Sequence, residues 1–334
     1  MNTSAHPTRL LSGSLLLIIL TTSLLTGCPR ESFDQEDASV DESNHATSDT
    51  NQDSSDSDED IFAPDDFGPW PAPRPGCNGH PELCARQFHE IVFPGTHNSM
   101  SNAEDGWGAP NQNLPLRQQL IDGIRVFLLD IYEEDGDILL CHAFCGLGSR
   151  PLLDAMGEFR SFLRANPSEV ITLIFEDYIP AARTAEILEE AGLIELVYTH
   201  PEEGSWPALG EMIAADTRLV ITAERAGPPP PWLHHIWEIA WDSPYSFSSI
   251  DQFNCNHNRG DQNQDLFLLN HWVLNPLPSP RSASETNSYE VLMERVEACQ
   301  QQWDRLPTFL AIDFHDIGDL FEVVDVLNAL REPR

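Results

Sequence analysis

The sequence contains no lysine. All 18 basic residues are arginine, set against 54 aspartates and glutamates, for a net charge of -36 over 334 residues. A lysine Schiff base and a phosphate-loop lysine are therefore excluded. So is the basic footprint that nucleic-acid binding requires, and so is electrostatic docking on anionic lipid. There is no internal repeat and no glycine-rich phosphate loop. The seven cysteines show no short Cys-x-x-Cys spacing and no recurrence with histidine, so a zinc site is disfavoured. Hydrophobic residues make up 41% of the chain, enough for a substantial core.

Three regions differ in composition. Residues 1–27 read as a lipoprotein signal peptide. Arg9 precedes the apolar run Leu10–Leu25, which ends in Leu24-Leu25-Thr26-Gly27-Cys28. The run is short for a stable span, and no basic stop follows it. Cys28 sits where a lipidated first residue would stand. Residues 28–76 read as the lipidated cysteine followed by an acidic linker. Positions 31–67 alone hold 14 acids and no arginine. Such a segment cannot bury enough apolar surface to offset its ordering entropy, so it is expected to be a disordered tether. The Pro-rich stretch Pro69–Pro75 leads into a folded domain, 77–334. The predicted localisation is exported and lipid-anchored on the cell envelope, at the outer membrane or cell surface, as a monomer.

Six cysteines remain for an exported domain, which suggests three disulfides. Proximity in sequence favours Cys77–Cys84, Cys141–Cys145 and Cys255–Cys299 among the fifteen pairings that six cysteines allow.

From about Phe88 the chain alternates short apolar runs with helical patterns. The runs are Ile91–Phe93, Ile124–Ile131, Ile138–Leu140, Val170–Phe175, Leu219–Thr222, Leu266–Leu269 and Phe309–Phe314. Helical segments are expected at Leu114–Ile121, Leu152–Ala165, Ala181–Ala191, Tyr289–Trp303 and Leu320–Leu330. This rhythm predicts an α/β fold, a single distorted (β/α)8 TIM-type barrel.

Strand ends are where such a barrel places its chemistry. The first run ends in His97-Asn98-Ser99, the second at Asp130, the fourth in Glu176-Asp177, and the last in Asp313-Phe314-His315-Asp316. The third leads into Cys141-His142. Period-two alternation puts Asp130 on the face of Val126 and Leu128. It puts Glu176 with Thr172 and Ile174, and Asp177 opposite. His271 and His315 are expected to be structural. Glu133–Asp137 reads as an acidic hairpin turn. Asn256–Asp265, containing Arg259-Gly260-Asp261, reads as a polar loop.

In order and spacing, four motifs and a final aspartate resemble the catalytic X region of phosphatidylinositol-specific phospholipase C over most of 86–330. The motifs are Gly95-Thr96-His97-Asn98-Ser99, Gly123 through Asp130, Leu140-Cys141-His142, and Asn166-Pro167-Ser168-Glu169-Val170 through Glu176. Asp313 matches the aspartate that orients the first histidine. The resemblance implies His97 as general base, His142 as general acid and Asp313 as positioning carboxylate. It further implies a calcium ion on Asn98, Asp130 and Glu176, with magnesium the alternative. Leu128 stands where calcium-dependent members carry an acid, so the implied site is weak and hydrated. The implied activity is that of a phosphoric diester hydrolase, with a phosphodiester as substrate and a phospholipid among the candidates. A glycerophosphodiester phosphodiesterase ranks lower, because that family typically begins His-Arg-Gly and keeps Glu-x-Asp. A non-catalytic surface-binding lipoprotein is the reading from another class.

Overall fold

Ten strands form one sheet, and eight of them run parallel. The strands are β1 (Phe93–Thr96), β2 (Val126–Glu134), β3 (Asp137–Cys141), β4 (Ser149–Pro151), β5 (Ile171–Asp177), β6 (Leu219–Ala223), β7 (His234–His235), β8 (Ala240–Asp242), β9 (Leu266–His271) and β10 (Phe309–Ile312). The parallel order is β7-β6-β5-β2-β1-β10-β9-β8, a curled α/β barrel wall. Among the described residues no ladder joins β7 to β8, which is where the barrel is distorted. This computed structural model describes residues 61–62, 66–202 and 204–331. The signal segment 1–27, Cys28 and the acidic stretch up to residue 60 lie outside the described residues.

Alternation along the strands sorts the core into two layers. Val126, Ile174, Val220, Leu266, Leu268, Phe309 and Ala311 fill the barrel interior. Their neighbours Phe127, Leu129, Leu173, Phe175, Ile221, Phe267, Leu269 and Leu310 face outward, under the helices. Those helices include Leu152–Ala165, Tyr289–Trp303 and Leu320–Leu327. The interior is plugged at its N-terminal end by Phe88, whose ring stacks on Trp206 at 4.9 Å and meets Phe93 at 4.9 Å. Apolar filling at that end leaves the C-terminal ends of the strands to form the cavity.

Two of the sequence motifs meet in a buried ion pair. Arg125 Nε donates to Glu169 at 2.7 Å, and both side chains are almost fully buried. Arg125 Nη1 also donates to the carbonyls of Leu120 and Ile124. These contacts tie the end of helix Leu116–Asp122 to the turn before β5. The charges at 125 and 169 thus serve the scaffold rather than the cavity.

Three expectations need correction. The run Ile138–Leu140 is not a barrel strand. β2 overshoots the barrel and pairs antiparallel with β3, which pairs in turn with β4. The acidic turn at Glu133–Asp137 is the bend of that hairpin. The second correction concerns β7 and β8, which were not anticipated. At two and three residues they are too short to carry a pattern. The third concerns the stretch before Cys77. Trp70 is docked, with its Nε1 donating to Ser161 Oγ at 2.9 Å and its ring edge-on to Phe162 at 5.2 Å. Packing therefore begins ahead of residue 77.

All three expected disulfides are present: Cys77–Cys84, Cys141–Cys145 and Cys255–Cys299. They close very different lengths of chain, with sequence separations of 7, 4 and 44. In the chain-entropy account the gain grows with loop length, so the last stabilises most globally. The Cys141–Cys145 bridge instead braces the tight loop carrying His142.

Candidate active site

A cavity of about 370 Å³ opens at the C-terminal ends of the parallel strands. Its walls include His97, Asn98, Asp130, His142 and Glu176, so five of the six predicted chemical residues meet in one place. Asp313, the sixth, stands directly behind His97.

The histidine side is tightly bonded. His97 leaves the end of β1, and its Nδ1 lies 2.9 Å from Asp313 Oδ1. A carboxylate accepts, so Nδ1 carries the proton and Nε2 keeps a free lone pair. Asn111 Nδ2 donates to the same Asp313 oxygen at 3.1 Å. The other oxygen, Oδ2, is buried without a partner. The His97 ring lies flat on Trp272, centroids 3.8 Å apart and planes 5° off parallel. Gln112 Nε2 donates to the His97 carbonyl at 2.9 Å. Ring, backbone and tautomer are all held.

Asn98 adopts a left-handed backbone, φ 45°, which asparagine tolerates better than most residues. Its amide nitrogen approaches Asn111 Oδ1 and His142 Nε2, both at 3.3 Å. Its Oδ1 is left to face the cavity. His142 comes from the β2–β3 hairpin. Burial first, and the nearby His97 second, lower its pKa below the ordinary histidine value.

The acid side is sparsely bonded. β2 and β5 pair in register, setting Asp130 beside Glu176 and Leu128 beside Ile174. Asp130 is 5% exposed. It has no hydrogen-bond or ion-pair partner among the described residues. Burial, then Glu176, then Glu224 push its pKa well above the carboxylate range. Glu176 accepts from the Tyr178 hydroxyl. Asp177 points the other way, as alternation predicts, and takes the backbone amides of Arg225 and Ala226, both at 2.9 Å.

Several cavity residues were not anticipated. Glu224 follows β6 directly, and the strand-end rule that found Asp130 and Glu176 would have found it too. Burial lifts its pKa to about 7; Glu176 and Asp242 add to that and Arg259 opposes it. Arg259, read from sequence only as part of a polar loop, is the guanidinium in the cavity wall. It bridges Glu224 and Asp242, each at 2.7 Å, and lies over Trp237 at 4.1 Å. The adjacent Gly260 has φ +79°, and a Cβ there would fall 2.1 Å from the Ala240 carbonyl oxygen. Only glycine lets the loop approach β8 this closely. Asn111 and Trp272, which hold Asp313 and the His97 ring, were likewise not anticipated.

His271 and His315 are structural. His271 is buried and bonds the Thr286 carbonyl at 2.8 Å; His315 bonds Asp122 at 3.0 Å.

Among the described residues, no group of three or more His, Cys, Asp or Glu side chains is arranged to hold a metal. The oxygens on offer are two carboxylates and an amide. Asp130, buried and unpartnered, is a group that a cation would satisfy. An all-oxygen set of this size fits a hard cation that retains water.

The sequence model of the PI-PLC X 1 family matches residues 83–328. The chain belongs to the PI-PLC X family. A PI-PLC X domain-containing protein of Arabidopsis thaliana is 28% identical over 272 residues, 72% of this chain and 62% of its own length. An uncharacterized secreted protein of Arthroderma benhamiae is 29% identical over 293 residues, 78% of this chain and 65% of its own. The chain thus spans a little under two thirds of those two relatives. PI-PLC X domain-containing protein 1 of the same fungus is 26% identical over 285 residues, 76% of this chain and 90% of its own. Among solved structures, phosphatidylinositol-specific phospholipase C of Staphylococcus aureus aligns with TM-score 0.50 and 15% identity. That alignment covers 74% of this chain and 94% of that one. The likeness is one of fold. Within this PI-PLC X domain, the family's first motif forms β1 and the turn carrying His97 and Asn98.

Proposed function

We propose that this PI-PLC X protein is a phosphoric diester hydrolase of the phospholipase C kind, with His97 and His142 as its base and acid. The observation that carries this reading is the placement of His97. Its Nε2 is free toward the cavity, its Nδ1 is committed to Asp313, and His142 stands across Asn98.

His97 Nε2 takes the proton from a hydroxyl adjacent to the phosphodiester. The freed oxygen attacks phosphorus, and the bond to the leaving alcohol breaks. Protonated His142 gives that alcohol oxygen its proton. The product is a cyclic phosphodiester, which water opens by the reverse use of the two histidines. Imidazole as a side-chain type exchanges its proton near neutral pH, which suits acid and base chemistry alike. Asp313 stabilises the positive charge His97 acquires. A calcium ion bound by Asn98, Asp130 and Glu176, with magnesium as the alternative, would offset charge building on the phosphoryl oxygens.

The rim supports a substrate presented at a lipid surface. Phe144 (65% exposed), Leu147, Tyr178, Tyr245 and Leu277 (57%) are exposed apolar or aromatic side chains. Tyr245 and Leu277 line the cavity, Tyr178 directly follows β5, and Phe144 and Leu147 lie in the segment between β3 and β4. Export is supported by the three disulfides and by the relative named as secreted. We extend it to lipidation at Cys28, which mass analysis of the mature N-terminus tests. An unmodified terminus at another residue overturns the anchor and leaves the enzyme reading untouched.

The deciding experiment is hydrolysis of a phosphodiester panel, phosphatidylinositol and glycerophosphodiesters included, with and without chelator and with product analysis. A cyclic product supports the mechanism. Absence of hydrolysis across the panel favours the binding-module reading, to which the missing acid at Leu128 lends weight.

A further inference from the structure

Arg295 is the anomaly of the scaffold. It lies on the helix Tyr289–Trp303 and is 5% exposed. None of its three guanidinium nitrogens has a hydrogen-bond partner. The other buried arginines all do. Arg125 has Glu169 and two carbonyls, Arg218 has Asp216 and the Leu163 carbonyl, and Arg160 has the Gly192 carbonyl. The chain holds three acids for every base, yet no carboxylate acts on Arg295; burial alone lowers its pKa, to about 10. At neutral pH it keeps its charge.

Its surroundings are aromatic. Phe247 and Phe253 lie 5.2 and 4.9 Å from the guanidinium carbon. Phe253 also meets the His271 ring at 4.7 Å. His271 donates from Nε2 to the Thr286 carbonyl, so its buried Nδ1 is an acceptor, and it too has no partner. The two ring faces offset part of the positive charge; a trapped water would satisfy N–H groups and Nδ1 but would bring no opposite charge. A buried charge without a counter-charge is among the most costly arrangements in a protein interior.

We propose that Arg295 is the receptor of a small inorganic anion of the halide class, bound at its unpartnered N–H groups while Phe247 and Phe253 lie against the guanidinium. The guanidinium is weakly hydrated and suits a weakly hydrated anion in an apolar enclosure. Arg295 does not line the catalytic cavity, so the anion is not the substrate. The site has a structural consequence. Phe247 and Phe253 belong to the segment that also supplies Tyr245 and Ser246 to the cavity wall. The Phe247 carbonyl is bonded by the Leu274 amide at 2.9 Å. An anion at Arg295 fastens that segment from behind.

The test uses the purified protein at constant ionic strength, exchanging gluconate for chloride or bromide. Thermal stability should rise with halide concentration, linearly in its logarithm above saturation. Crystals grown in bromide should show an anomalous peak within hydrogen-bond reach of the Arg295 nitrogens. Arg295→Met fills the same volume without charge and should lose the halide-dependent shift. An equal halide shift in Arg295→Met would overturn the proposal. So would a bromide-grown crystal with only water or a protein side chain at Arg295. The diffraction arm decides the matter even if the variant does not fold.

Discussion

The two walls of the cavity are built on opposite principles. On the histidine wall, His97 is fixed by Asp313, Trp272 and Gln112, and Asn111 links Asp313 to Asn98. On the acid wall, Asp130 touches no partner, and Glu224 stays high in pKa despite its arginine. On the first wall the His97 ring is already held in the free protein, with one Asp313 oxygen still unpartnered; the second awaits positive charge or a proton. Preorganised groups stabilise a transition state without reorganising, whereas an unsatisfied buried carboxylate raises the energy of the empty site. The contrast separates parts that position from parts that bind.

The largest effect should come from breaking the histidine wall. His97→Ala and His142→Ala should each lower kcat/KM by roughly 10²–10⁴-fold, the usual loss for a general acid or base. Circular dichroism should show both variants folded. A phenol leaving group, which needs little protonation, should partly restore His142→Ala and leave His97→Ala inactive. Wild-type rates in both variants would remove the phosphodiesterase reading.

The next effect belongs to the acid wall and is read as stability against pH. Glu224 moves from an ordinary 4.5 to about 7 in the folded protein. A carboxyl raised by folding contributes stability that is complete below its unfolded value and is lost as pH rises through its folded one. The window is therefore about pH 4.5 to 7, with a total on the order of 3 kcal/mol from a shift of that size. Urea unfolding across this range should show the decline, and Glu224→Gln should flatten it. A decline that persists unchanged in Glu224→Gln assigns it to another group.

Asp130→Asn sharpens the contrast further. Replacing a buried, unpartnered carboxyl should stabilise the calcium-free protein by about 1–3 kcal/mol at pH values high enough to ionise Asp130. The same change should abolish any rise in melting temperature caused by calcium. A variant less stable than wild type in the presence of chelator would mean that Asp130 has a partner after all.

The smallest effect concerns Leu128. Its in-register partner is Ile174, one alternation from the Asp130–Glu176 pair. Leu128→Glu supplies the acid that calcium-dependent relatives of the resemblance carry. It should tighten calcium by about tenfold, near 1.4 kcal/mol, in a chelator-buffered titration. If neither Asp130→Asn nor Leu128→Glu moves the calcium midpoint, the cation does not sit on this wall.

Much of this architecture was legible where patterns are long. The helices Leu152–Ala165 and Tyr289–Trp303 were read at the bounds the structure gives. The interior placement of Asp130 and Glu176 followed from period-two alternation. Two-residue β7 offered too little pattern to detect. Arg259 was illegible for another reason. Its position depends on the loop folding back so that Asp242 receives the Arg259 amide at 2.8 Å and its guanidinium. That is a tertiary contact between segments with no shared periodicity. Asn111 reaches Asp313 across 202 positions in the same way. Glu224 differs from both, because its place at a strand end was readable.

β2 has a consequence for how this domain tolerates change. One uninterrupted strand carries Asp130 within the barrel and then continues into the hairpin that delivers His142. It works as a ruler with two marks. Deleting a single residue between Val126 and Asp130 would shift every later position by one pleat and turn each side chain to the opposite face. Asp130 would move toward the helices, and the hairpin would carry His142 off with it. Insertions and deletions should therefore be admitted at the hairpin tip around Gly136, at the end of the ladder away from the Ile131–Leu140 pair, and rejected along the strand itself. Length, rather than any one side chain, is what lineages of this domain would be held to there.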